Sequence, residues 1–414
     1  MTASIPLAAR PPHVPDAVVY DFDFFADPGL VRDPHERVKE IIEEAPPLFW
    51  TPRNGGHWVA LRYSDVVSIL RDTERFSSSL TTEEQIAAMA SMLPRGLARI
   101  PQMTPIFMDP PEHTKYRAPL QKVFSPKTMA ALTGDIEALA RGLIDAIVDQ
   151  GSCDFLPAVA EQLPVRVFLR MMGLSADRLA EFRALVRQVF APRDPALEDY
   201  GIRIRRIADS MMDAILERRT APKDDLISHL WAVEIDGQAM TLELMEDYAT
   251  LLFLAGLDTV INGICLGMRH LALNPDLQNR LRAHPELIPE ATEELLRRYT
   301  FNVPQRRVTR DTDLAGTALK AGDMVFTYLP ATGLDPSEFD APDVFDVERE
   351  NKLHVAFGTG PHRCLGSHLA RIELQTVYRV ALERLPTFRL DPSKPIRFHT
   401  GNMLAASSLH IRWD

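Results

Sequence analysis

From residue 248 to residue 268 the chain carries a single formal charge, Asp258. A stretch this apolar must be hidden from water on every side. About 20 apolar residues can span a bilayer, so a membrane helix is one solution. A helix at the centre of a large helical core is the other. Asp258, Asn262 and three glycines (Gly256, Gly263 and Gly267) interrupt the run, and polar groups at such a place are costly in lipid. The core helix is therefore expected, over about residues 241–273, with Thr241 as its N-cap. Gly256, Asp258 and Thr259 meet at its middle. Small and hydroxylated residues there favour a bulge or an opened hydrogen bond.

A helix buried all round needs a long chain to cover it. The chain has 414 residues, 46% apolar and 25% charged, as soluble globular proteins do. Lys plus Arg is 46 and Asp plus Glu is 57, a net charge of −11, which argues against nucleic acid as a partner. Cys153, Cys265 and Cys364 are too few and too dispersed for a disulfide framework or a four-ligand zinc site, and an odd count fits a reducing compartment. The N-terminus has no basic region followed by an apolar run, so neither signal peptide nor membrane anchor is expected, and the location expected is cytoplasmic. Residues 1–20, with Pro6, Pro11, Pro12 and Pro15, read as an extended arm. Residues 48–50 and 56–61 flank Asn54-Gly55 and read as a hairpin. Ser125-Pro126 starts a helix whose apolar positions recur at Met129, Leu132, Ile136, Leu139, Leu143 and Ile147. Helical patterns continue over 164–172, 179–190, 202–218 and 225–232. The expectation is one mainly α domain over 1–414 with small β-sheets, monomeric.

Ala356-Phe357-Gly358-Thr359-Gly360-Pro361-His362-Arg363-Cys364-Leu365-Gly366 concentrates three glycines and a proline ahead of a helical pattern. A tight loop is expected, with Leu365 opening the helix and Cys364 near its N-terminus, where backbone N–H groups favour a thiolate. A buried free cysteine is the ordinary alternative, but such a cysteine needs no glycine-rich loop. Zinc at His362, Cys364 and His368 lacks a second ligand pair. A catalytic thiol needs a base that the sequence does not reveal.

Phe357-x-x-Gly360-x-x-x-Cys364-x-Gly366 resembles the haem-binding signature of the cytochrome P-450 monooxygenases, whose iron is held by a cysteine thiolate. Ala255-Gly256-Leu257-Asp258-Thr259 resembles the family's acid–alcohol pair. Glu294-Leu295-Leu296-Arg297 resembles its ExxR motif; the spacing puts both side chains on one helix face, and the resemblance adds Arg349 as a third member. Asp109-Pro110-Pro111-Glu112-His113-Thr114-Lys115-Tyr116-Arg117 resembles a segment that supplies haem-propionate partners. His113, Arg117, Arg306 and His362 fall on those positions, and Arg suits a carboxylate because its fork can be bidentate. The resemblance covers almost the whole chain, extends to the camphor hydroxylase family of soluble bacterial members, and implies a triangular helical prism.

It further implies haem b ligated by Cys364, cradled by Phe357, Gly358, Gly360, Ala255 and Gly256, with O2 as co-substrate and Asp258 and Thr259 delivering protons. The chain shows no flavin or nicotinamide module, so electrons are expected from NADH through a flavoprotein reductase and a [2Fe–2S] ferredoxin. Arg71, Arg75, Lys115 and Lys122 are candidates for a basic docking patch; the alternative is a scattered solvated face. Matching positions place Pro101, Met103, Leu251, Leu254, Val303, Asn402 and Met403 around a small apolar substrate (terpenoid, norisoprenoid or aromatic), with Asn302 or Asn402 as a polar contact. The camphor hydroxylases' pocket tyrosine has no counterpart here, since Pro101 falls at its place, and residues 79–108 form a stretch about ten residues longer. Camphor is therefore not the expected substrate. A peroxide-using haem-thiolate enzyme and a non-enzymatic haem binder or sensor are the rival readings. The Asp258-Thr259 pair speaks against the first and the lack of a second module against the other.

Overall fold

The computed structural model describes residues 7–82, 85, 99–190 and 200–414. The central helix starts at Leu242, where the Thr241 hydroxyl accepts a hydrogen bond from the Leu244 N–H at 3.2 Å. It runs to Gly256, breaks at Leu257 (φ −102°, ψ −64°) and resumes as Asp258–Leu273. Its most apolar window is 72% buried inside the protein, so its apolar surface is spent on the core. The helix Ser367–Arg384 covers its second half. There the Tyr378 hydroxyl donates to the Gly263 carbonyl at 2.8 Å. A Cβ on Gly267 would lie 2.0 Å from that same hydroxyl, so only glycine permits this closeness.

The expected hairpin forms and grows into a sheet. Strands β1 (Leu48–Thr51), β2 (His57–Ala60), β3 (Phe76–Ser77), β4 (Gln305–Val308) and β5 (Met324–Thr327) are ordered β1-β2-β5-β4-β3. All pairs are antiparallel except β2 with β5. A second sheet joins Ser152–Asp154, His410–Trp413 and Phe388–Leu390. Part of the proposed N-terminal arm lies outside the described residues; the rest is interrupted by a turn, where the Val14 N–H donates to the Pro11 carbonyl at 3.0 Å, and by a 3₁₀ turn at Asp16–Val18, and Val19 bridges to Trp50.

One expected helix is two. Pro126–Ala130 and Thr133–Asp145 are separated at residues 131–132, where the Leu132 N–H takes the Met129 carbonyl at 3.0 Å. This tighter i→i−3 bond keeps the apolar spacing while turning the axis.

Glu294 and Arg297 lie on the helix Ile288–Arg298 and are both 0% exposed. Arg297 donates to Glu294 through Nε at 2.7 Å and Nη2 at 2.8 Å, and Arg349 Nε reaches the same carboxylate at 3.1 Å. The spare guanidinium hydrogens go to backbone carbonyls. Arg297 donates to Gly333, Pro342 (2.8 Å) and Val344 (3.2 Å), and Arg349 to Asp340 (2.6 Å) and Val344 (2.8 Å). The triad thus fastens residues 333–349, the approach to the glycine-rich loop, onto one helix. Breaking a buried pair strands a charge and costs about 3–5 kcal/mol. Arg297→Met should therefore lower unfolding stability by about that amount in urea titrations. A loss below ~1 kcal/mol, the scale of an exposed pair, would show that the triad is not a structural fastening.

Candidate active site

The loop before Ser367 is shaped by two left-handed glycines, Gly358 (φ +66°) and Gly360 (φ +71°). A Cβ on Gly360 would stand 2.5 Å from the Leu70 carbonyl oxygen, so both its φ and its neighbour require glycine. The Cys364 N–H donates to the Phe357 carbonyl at 2.8 Å, which closes the loop on itself. The Phe357 ring lies under the Arg371 guanidinium at 4.7 Å, and Arg371 is held by Glu293 in two bonds of 2.7 and 2.8 Å. Burial alone would raise the Glu293 pKa, but the bonds from Arg371 and His354 outweigh it and leave it at about 2.

One expectation at Cys364 needs correction. The helix begins at Ser367 rather than Leu365, because residues 365–366 are still in a turn. Burial raises the pKa of the free Cys364 thiol, while the Gly366 N–H and the charges of Arg117, Arg363 and Arg371 act to lower it. Yet Cys364 is exposed. Both observations hold when the sulfur faces an internal space. Within residues 245–272 only Ala255 and Gly256 are exposed. A Cβ built on Gly256, Gly358 or Gly366 meets nothing within 4 Å.

Four nitrogen-bearing side chains gather beside Cys364. The rings of His113 and His362 are 4.0 Å apart. Arg117 donates to the Arg363 carbonyl, and its charge and that of Arg306 both act on His113 and His362. Burial first, and these charges second, push His113 down to about 4 and His362 to about 3. Burial lowers Arg306 to about 10. Among the described residues no carboxylate pairs with Arg117 or Arg306 within 4.0 Å. Both ring nitrogens of His113 and Nε of Arg306 are buried without a partner. His362 is partly satisfied, with Nε2 2.9 Å from the Met108 carbonyl. Orphaned donors and uncompensated cations are costly unless an anion completes them.

On the central helix the Thr259 hydroxyl donates to the Ala255 carbonyl at 2.9 Å, across the break. Asp258 accepts from Asn262 at 3.4 Å, and burial lifts its pKa from 3.8 to about 7. Sequence reading missed Asn262 as a partner, though the i, i+4 spacing was there to see.

The Cytochrome P450 family model matches residues 283–409. A probable cytochrome P450 127A1 of Sinorhizobium fredii is 34% identical over 412 residues, covering 97% of this chain and 96% of its own length. This chain belongs to the cytochrome P450 family. A steroid C26-monooxygenase of Rhodococcus jostii is 30% identical over 397 residues, 92% of this chain and 81% of its own. The solved P450 structures CYP101C1 and CYP101J2 match with TM-scores of 0.87 and 0.86, each at 32% identity over 98% of this chain and 100% of theirs. The fold is thus the mainly α P450 fold. As a P450 the chain is a haem-thiolate monooxygenase that uses O2 and draws electrons from redox partners.

The site fits that cofactor. A Cβ at Gly256, Gly358 or Gly366 would meet no neighbour, and the orphaned nitrogens of His113 and Arg306 suit a doubly carboxylated group. Of the residues expected at a P450 pocket, Leu251, Leu254 and Ala255 share one helix face by i, i+3, i+4 spacing. Pro101, Leu251 and Val303 are buried, and Met103, Leu254 and Met403 half-buried. The Val303 N–H donates to the Asn402 carbonyl at 3.1 Å, and Met403 bridges Asn302. Asn402 itself is exposed, and its side-chain oxygen accepts from Gln305 at 3.0 Å. Much of the lengthened 79–108 stretch lies outside the described residues. Of the basic candidates, Arg75 pairs with Asp72 (2.5 Å) and Lys115 with Glu112 (2.7 Å) and Asp236 (2.9 Å), Arg71 donates to the neutral Thr359 (3.2 Å), and Lys122 is exposed.

The raised Asp258 pKa has a consequence for stability. The unfolded carboxyl ionises near 3.8 and the folded one near 7, so the unfolded state loses its proton first and stability falls as pH rises between those values. Asp258→Asn removes that cost. It should unfold at the same denaturant concentration as the parent near pH 4. By pH 8 it should be more stable, by on the order of 2–4 kcal/mol. A parallel pair of stability curves would contradict the buried, neutral acid.

Proposed function

We propose that this P450 inserts one oxygen atom from O2 into a C–H bond of a small apolar terpenoid, norisoprenoid or aromatic compound. In this reading it works as a cytoplasmic monomer, with residues 1–414 as one unit, and takes electrons from a [2Fe–2S] ferredoxin reduced by an NADH-dependent flavoprotein. The observation that carries the site assignment is the group of partnerless buried nitrogens on His113 and Arg306, with an exposed cysteine, Cys364, in the loop that follows His362. Cys364 would ligate the iron, and His113, Arg117, Arg306 and His362 would hold the propionates. When bound, the haem supplies the oxidising power for C–H cleavage.

The chain's own residues do the rest. Phe357 is locked under Arg371, and its carbonyl accepts from the Cys364 N–H at 2.8 Å. Gly256 and Ala255 would leave room for the cofactor. The Thr259 hydroxyl, held at the Ala255 carbonyl, stands at the break where a hydroxyl can turn to a neighbouring oxygen. Asp258, with a pKa of about 7, is half-protonated at neutral pH, which matches a proton donor to its task. Pro101, Met103, Leu251, Leu254, Val303 and Met403 form the apolar lining, as small-molecule sites require. Asn302 or Asn402 is the polar contact.

Two measurements test this reading. NADH-driven product formation should require both the ferredoxin and its reductase. Peroxide-driven turnover at an equal rate would favour the peroxide-using alternative, and no product from any compound of a terpenoid and norisoprenoid panel would favour a haem-based binder. Thr259→Ala should still consume NADH and O2, but release hydrogen peroxide and lose product per NADH by about 10-fold or more, the low end of a proton-transfer group's contribution. Unchanged coupling would mean that Thr259 only caps the helix break.

A further inference from the structure

The first half of the central helix carries two acidic residues, Glu246 and Asp247, that are buried to 7% and 4% exposure. Neither belongs to the proton-delivery pair. Asp247 Oδ1 accepts from the Gln102 N–H at 2.8 Å and from the Arg99 guanidinium, and Oδ2 accepts from the Thr104 hydroxyl at 3.0 Å. Glu246 takes the other arm of Arg99 at 3.2 Å and both terminal nitrogens of Arg205 at 2.8 and 2.9 Å. Arg205 lies on the helix Tyr200–Thr220. One carboxylate pair therefore ties three segments together.

The tied loop residues, 99, 102 and 104, bracket Pro101 and Met103. Met103 holds φ at +55°, a backbone state that a non-glycine residue keeps only when its surroundings dictate it. Its flanking bonds to Asp247 are such a constraint. On the helix, Asp247, Leu251 and Leu254 follow the i, i+4, i+7 spacing of one face.

We propose that Asp247 is a positioning residue that sets substrate specificity by clamping residues 99–104 against the central helix and so fixing Met103 over the pocket. This rests on the reading of Met103, Leu251 and Leu254 as pocket lining. Glu246 and Arg205 brace the clamp from the neighbouring helix. The pocket's upper wall is then set by a network of charges outside the pocket, and its height follows the loop rather than the size of Met103 alone.

The test compares binding of two haem-directed probes to the holoenzyme by absorption difference spectra. Imidazole is too small to reach the loop, whereas 4-phenylimidazole extends towards Met103 and Leu251. In Asp247→Asn the ratio of the 4-phenylimidazole to the imidazole dissociation constant should rise about tenfold, and in Thr104→Val about threefold, as charged and neutral hydrogen bonds differ. Imidazole affinity and haem content should stay unchanged, which general damage to the fold would not allow. Met103→Ala serves as the reference for the pocket reading. If Met103→Ala shifts the ratio while Asp247→Asn and Thr104→Val do not, the clamp is overturned and the pocket stands. If Met103→Ala leaves the ratio unchanged, the pocket reading fails and the clamp with it. Should Asp247→Asn not fold, Thr104→Val and Arg99→Gln decide the matter by the same ratio.

Discussion

An apolar helix with one charge in its middle cannot face water, and the rest of the chain is arranged to cover it everywhere but at Ala255 and Gly256. That one opening is what makes a site possible. It sits at the break before Asp258, where the Thr259 hydroxyl engages the Ala255 carbonyl and the helix axis is interrupted. A straight helix would place its backbone bonds out of reach of any bound oxygen. The break makes polar groups available in an otherwise dry core.

The opposite wall is built by electrostatics at a distance. Glu294, Arg297 and Arg349 fasten residues 333–349, Glu293 holds Arg371, and Arg371 covers Phe357 beside the cysteine loop. These pairs are complete: carboxylates meet guanidinium groups and spare hydrogens meet carbonyls. In the cluster of His113, Arg117, Arg306 and His362, both ring nitrogens of His113 and Nε of Arg306 are buried without a partner. A dianionic ligand would complete these groups. Binding of such a ligand is then also a contribution to folding stability.

Much of this was legible before any coordinates. Glu294 and Arg297 are three residues apart, so helical geometry alone puts them together, and a glycine-rich run before Cys364 could only be a tight loop. The hairpin followed from Asn54-Gly55. What could not be read was anything decided by distant partners. Lys115 looked like docking charge until Asp236 was found beside it. The Arg99–Asp247 contact spans 148 positions, and nothing in either segment announces the other. The helix break at 131–132 left the apolar period intact, so periodicity could not reveal it. The helix after Cys364 begins at Ser367 rather than Leu365, because residues 365–366 remain in a turn.

The central claim is that Cys364 sulfur, within that cradle, ligates haem iron. The direct measurement is the absorption spectrum of the ferrous carbonyl complex of the purified protein beside its Cys364→His variant. The account predicts the strongly red-shifted Soret band of a thiolate-ligated haem in the parent protein, its loss in Cys364→His, and its retention in Cys153→Ala and Cys265→Ala. A red-shifted band that survives Cys364→His and disappears in either of the other two variants would contradict it.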